Sequence, residues 1–213
     1  MRLVAAIAIC CVSGCAAETP APPQLPSAPI LICLEETIEI ENQFNIERGE
    51  LVAAKLFHRI GIAIEWRARN RSCPADRDPL LLRISTHTPA DYWPGTYALS
   101  FPYEGIHLQI FYDRMQAVAQ GSMLIALAGH AMAHEIAHVL EGAHMHSTGI
   151  MKRRFDSRDI QHMALDPLSF SPRDIILLHD GVQSRHVRLS ELQRDRLDPP
   201  QVVGFTQDAA AVP

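Results

Sequence analysis

No block of Lys and Arg occurs in this sequence, and no internal repeat is visible. Its 19 basic side chains are interspersed among 24 acidic ones, for a net charge of -5. The basic stripe of a nucleic-acid binder is missing, so no nucleic acid is expected as partner. Cysteine is scarce too. Of five in 213 residues, Cys10, Cys11 and Cys15 fall within the first 15. Cys33 and Cys73 remain; in an oxidising compartment they can pair, or they can stand as two separate thiols. What is present in quantity is apolar surface. Hydrophobic residues make up 47% of the chain, enough for one domain core without metal or disulfide support. Histidine is plentiful as well: of 11, five lie between His130 and His146, a first sign of a metal.

Both ends read as segments outside that core. Arg2 and the apolar run Leu3 to Val12 have the form of a signal peptide, the run being too short to span a bilayer. It ends in Val12-Ser13-Gly14-Cys15, which resembles a bacterial lipobox, with cleavage near Ala16-Ala17 as the alternative. An exported protein is expected, held at the cell envelope by a lipid on Cys15 or secreted. Residues 16–29 are rich in proline and make an extended linker. The folded domain is then residues 30–190, and residues 191–213 form a tail without structure.

Within the domain, Ile30 to Ile40, Ile62 to Trp66, Leu80 to Ser85 and Ile106 to Tyr112 read as strands. Asn45 to Ile60, stopped by Gly61, is a helix by its apolar spacing. Asn70 to Pro79 and Thr88 to Gly105 read as loops, the second rich in Pro, Gly and Tyr. Ala117 to Leu140 is a long alanine-rich helix ended by Gly142. Ser157 to Leu165 and Pro172 to Val187 follow as helices, the last entered through Ser171 and Pro172. The order predicts an α+β fold: a twisted mixed sheet backed by helices.

The long helix carries His134-Glu135-Ile136-Ala137-His138, an HExxH motif. Histidines four apart share a helical face, so both imidazoles reach one Zn2+. Glu135, beside the first ligand, can hold a water at the metal and take its proton. A catalytic zinc needs a third protein ligand. Counting as HExxHxxGxxH places it at His144, but Glu141 occupies the glycine position and the glycine comes one residue later, at Gly142. A later helix stop re-aims the returning chain and leaves His146 as the other candidate.

The run from Ala131 to Met151, with His146-Ser147 and Gly149-Ile150-Met151, is similar to a group of short secreted bacterial zincin-like proteins related to metzincins. The likeness extends over Gly61-Ile62 to Trp66, Cys73-Pro74, Leu82-Arg83-Ile84, Phe111-Tyr112-Asp113-Arg114 and Leu168 to Pro172, most of residues 45–180. The resemblance implies a zincin-like fold and a zinc metallopeptidase acting on a peptide or protein substrate. It also implies His146 as third ligand and Met151 as a methionine turn beneath the metal. The sequence departs from the group by one residue fewer between Ser147 and Gly149 and by the additional His144. By the same analogy, the strand before the active-site helix, Ile106 to Tyr112, would line the cleft, and Tyr103 or Tyr112 would stabilise an oxyanion. His130 fits packing or support of a ligand better than ligation; Glu141, Asp156 and Asp159 are the carboxylate alternatives. The expected function is peptide hydrolysis through Glu135 at a zinc held by His134, His138 and His146. The alternative is an envelope binding module of the same fold without strong activity.

Overall fold

A computed structural model describes residues 28–35, 40–68 and 71–197. The signal segment, Cys15, the linker up to residue 27 and the tail from residue 198 lie outside these residues. Strand β1, Ile30–Leu34, is a continuous apolar run because it lies inside a sheet. It pairs in parallel with β2, Ile64–Arg67, and with β3, Leu80–Ser85. In β3 the alternation is clear: Leu80, Leu82 and Ile84 are buried, while Arg83 between them is exposed. Next comes β5, His107–Phe111, parallel to β3, and then β4, Ala98–Ser100, antiparallel at the edge. The sheet order is β2-β1-β3-β5-β4, so the mixed, twisted sheet with helices that was expected is what the chain forms.

Helix α1, Ile40–His58, crosses from β1 to β2 and packs against α3, Gly121–Glu141. A short α2, Tyr112–Gln116, precedes α3. The close approach of α1 and α3 depends on glycine: a Cβ on Gly129 would stand 2.7 Å from the Gly49 carbonyl and 2.5 Å from the Val52 Cβ. From Leu124 to Leu140 nearly all of α3 is buried, and it is apolar there except at His130, His134, Glu135 and His138. Helix α4, Ser157–His162, and helix α5, Pro172–Leu197, complete the chain. Where α5 crosses the end of α3, Gly181 takes the contact, since a Cβ there would meet the Leu140 carbonyl at 1.8 Å. Cys33 and Cys73 form a disulfide with Cα atoms 6.1 Å apart, tying β1 to the loop after β2.

Several boundaries differ from the sequence reading. The stretch 88–105 is not wholly irregular; it contains β4. Ile40 begins α1 rather than ending a strand, and the long helix starts at Gly121 rather than at Ala117. The expected tail begins too early at 191, since α5 runs on to Leu197. Its extra turns are charged and exposed, so no apolar stripe signalled them.

Candidate metal centre

The His134 and His138 pair sits one turn apart on the last half of α3, where the helix passes under β4 and β5. Gly142 ends the helix at φ 65, and the chain turns back across the ligand face. The His134 Nδ1–H donates to the Ile150 carbonyl at 2.7 Å and the His138 Nδ1–H to the Ala143 carbonyl at 3.0 Å. With both Nδ1 atoms donating, both Nε2 atoms carry lone pairs, and these face each other at 3.0 Å. Two acceptors held this close repel unless a cation lies between them. Two nitrogens bound tetrahedrally to one zinc would stand about 3.3 Å apart. The donor set therefore fits zinc.

His146 closes the group. One donor atom from each of His134, His138 and His146 lies within 4.8 Å of the others. The His146 ring is 5.5 Å from that of His134 and 4.9 Å from that of His138, centroid to centroid. His144 is not in this cluster; its ring lies 6.1 Å from that of Tyr103 and 5.4 Å from that of His138. The His146 loop is tied down by its neighbour, since the Ser147 hydroxyl donates to Asp174 at 2.7 Å and the Ser147 N–H to the Met151 carbonyl. Met151 is fully buried in the Gly149–Met151 turn that also presents the Ile150 carbonyl to His134.

Burial keeps the imidazoles neutral, the form that ligates a metal. It pushes His134 down to about 4, and, with the neighbouring histidines, pushes His138 down to about 3. His146 is lowered as well, by burial first and the Arg153 charge second. Glu135 is 6% exposed, and burial raises its carboxyl to about 7. The Ser100 hydroxyl is near enough to oppose that rise, although it makes no hydrogen bond of good geometry and is itself buried.

These groups open into a cleft of about 560 Å³, lined by residues 95–100 with His134, Glu135, His138, His144, His146 and residues 152–155. Nothing from 106–112 lines it, so the strand at the cleft is β4, one place further out than β5. Strand β4 is only three residues long and carries no alternation, so the surrounding Pro, Gly and Tyr masked it in the sequence. Tyr112 is fully buried and its hydroxyl accepts from Asn45, which removes it as an oxyanion group. Tyr97, unnoticed in the sequence, lines the cleft, while Tyr103 is exposed beside His144. His130 is a packing histidine: its Nδ1–H donates to Ala126 and its Nε2 accepts from the Leu168 N–H. Asp156 and Asp159 cap α4 in a reciprocal box and pair with Lys152, so they are committed away from the metal site. Glu141 faces Asp174 and Arg173, outside the histidine cluster.

No protein-family model and no curated protein matches the chain. Among solved structures, it is similar to archaemetzincin from Methanopyrus kandleri, with a TM-score of 0.48 and 12% identity over 73% of this chain and 96% of that one.

Proposed function

We propose that this chain is a zinc-dependent peptidase whose metal ligands are His134, His138 and His146 and whose general base is Glu135. The observation that carries the reading is the pair of Nε2 atoms facing each other while both Nδ1 atoms meet carbonyls, with a third imidazole beside them and a buried carboxyl one residue from the first. Zinc bound there would supply Lewis-acid chemistry, acidifying a water and polarising a carbonyl.

The remaining work falls to the chain. Glu135, near neutral in its acidity, takes a proton from the attacking water and passes it to the leaving amine. The Ile150 and Ala143 carbonyls fix the ring orientation of the two helical histidines. Strand β4 pairs on one side only, so its open edge can accept an extended peptide as an added strand. Ser100, buried with an unsatisfied hydroxyl, stands ready to bond a group entering beside Glu135. A binding module would have no use for a buried carboxyl without an ionic partner at this position, since such a group opposes folding once ionised.

The test is Glu135→Gln in the full chain. Zinc content should remain near one per chain, and hydrolysis of a mixed peptide library should fall by about 100-fold or more. Hydrolysis that survives in Glu135→Gln would falsify the mechanism, and failure of the wild type to hold zinc would remove the metal centre.

A further inference from the structure

Beyond the Gly149–Met151 turn the chain continues Lys152-Arg153-Arg154-Phe155, and all four residues line the metal cleft. Lys152 is neutralised: its ammonium lies 3.0 Å from Asp156 and 2.6 Å from Asp159. Arg153 and Arg154 are exposed, and neither has a carboxylate partner among the described residues. Against these two guanidinium groups, Glu135 is the sole carboxylate among the described residues lining the cleft, and it is buried. The cleft is therefore cationic where an incoming chain would lie.

An unpaired guanidinium at a surface is ordinarily satisfied by water. Two of them beside the proposed reacting centre also form planar donor forks that match a carboxylate, and their field concentrates anionic ligands in the cleft. We propose that Arg153 and Arg154 select substrates by a carboxylate. The peptide taken by this cleft then carries Asp, Glu or a free C-terminus close to the scissile bond, since the two arginines line the same cleft as the histidines. This inference rests on the peptidase reading of the histidine cluster and names its substrate class.

The experiment uses the zinc-loaded full chain and peptide pairs that differ only by Glu or Gln at positions flanking the cleaved bond, each with a free or an amidated C-terminus. Acidic peptides should be cleaved with kcat/KM about tenfold higher. R153Q/R154Q should erase the preference, R153E/R154E should reverse it, and Arg158→Glu, outside the cleft, should leave it unchanged. A preference that survives amidation identifies a side-chain carboxylate; one lost on amidation identifies the chain terminus. Equal cleavage of acidic and neutral peptides, or an unaltered preference in R153E/R154E, overturns the inference and leaves the peptidase reading standing. A second readout is independent of turnover: binding of labelled, uncleaved peptides to Glu135→Gln protein, followed by fluorescence anisotropy. Acidic peptides binding tighter there, with sensitivity to R153E/R154E, supports the selectivity even if wild type hydrolyses nothing. No bias in that assay overturns it.

Discussion

Gly149→Ala is expected to damage stability and metal binding together, whereas Gly142→Ala should cost only a little stability. Both glycines have positive φ, 61 and 65, so alanine at either costs about 1 kcal/mol for the left-handed conformation. Their surroundings differ. Around Gly142 no atom lies within 4 Å of a Cβ, while at Gly149 the Cβ would stand 2.0 Å from the Ser169 carbonyl oxygen. That carbonyl accepts the Ile150 N–H at 3.0 Å, so the clash must push apart a bonded pair of backbones. Losing the bond adds about 1 kcal/mol, and the residual strain and lost packing of buried Ile150 and Met151 add a similar amount. The total for Gly149→Ala is about 3 kcal/mol. The same turn holds the carbonyl that orients His134, so zinc affinity should fall at least about tenfold. Unfolding is measured in chelator, because bound metal itself stabilises the folded state, and affinity by competition with a chromophoric chelator. If the two variants match in unfolding and in zinc affinity, the turn does not govern the site and the reasoning fails.

His146→Ala should weaken zinc binding strongly in the same titration, and His144→Ala should cost far less; the opposite ranking would transfer the third ligand to His144. Cys73→Ser opens a loop of 40 residues and should lower stability by about 4 kcal/mol, matched by reduction of the wild type; a melting curve indifferent to reductant would sink the assignment. Glu50, half-buried on α1 beside Glu47, is raised by burial from 4.5 to about 7 in the folded state. Its ionisation therefore opposes folding, so stability is lost as pH climbs from about 4.5 to about 7, by up to about 3 kcal/mol. Glu50→Gln should thus be more stable than wild type at pH 8 and equal to it at pH 4; a gain of the same size at both pH values would contradict that sign.

The HExxH motif was legible because its meaning is local. His134 and His138 share a face by helical periodicity alone, and the position of Glu135 follows from theirs. The strands β1, β2, β3 and β5 and the helices α1, α3, α4 and α5 were legible for the same reason, since apolar spacing records which face is buried. Gly142 announced the helix end, yet it did not settle where the returning chain would go. His144 and His146 are two residues apart, and their assignment depends on how the loop is pinned by Ser147 to Asp174 of α5, some 27 residues on.

Short, weakly patterned or long-range features stayed hidden. Strand β4 has three residues and makes sense only once β5 is in place to pair with it. Tyr112 looked available at the end of the strand expected to line the cleft, and it took the packing of α1 to show its hydroxyl buried against Asn45. Arg153 and Arg154 gave no signal in the sequence; the fold placed them in the cleft with the histidines and gave the neighbouring carboxylates to Lys152. The sequence determined which helical side chains can share a metal and which carboxyl stands beside them, because helix geometry and residue type are written within five consecutive positions. Only the tertiary structure brought His146 to the helical pair, set the edge strand and gave the cleft its charge, because each depends on contacts between segments far apart in the chain.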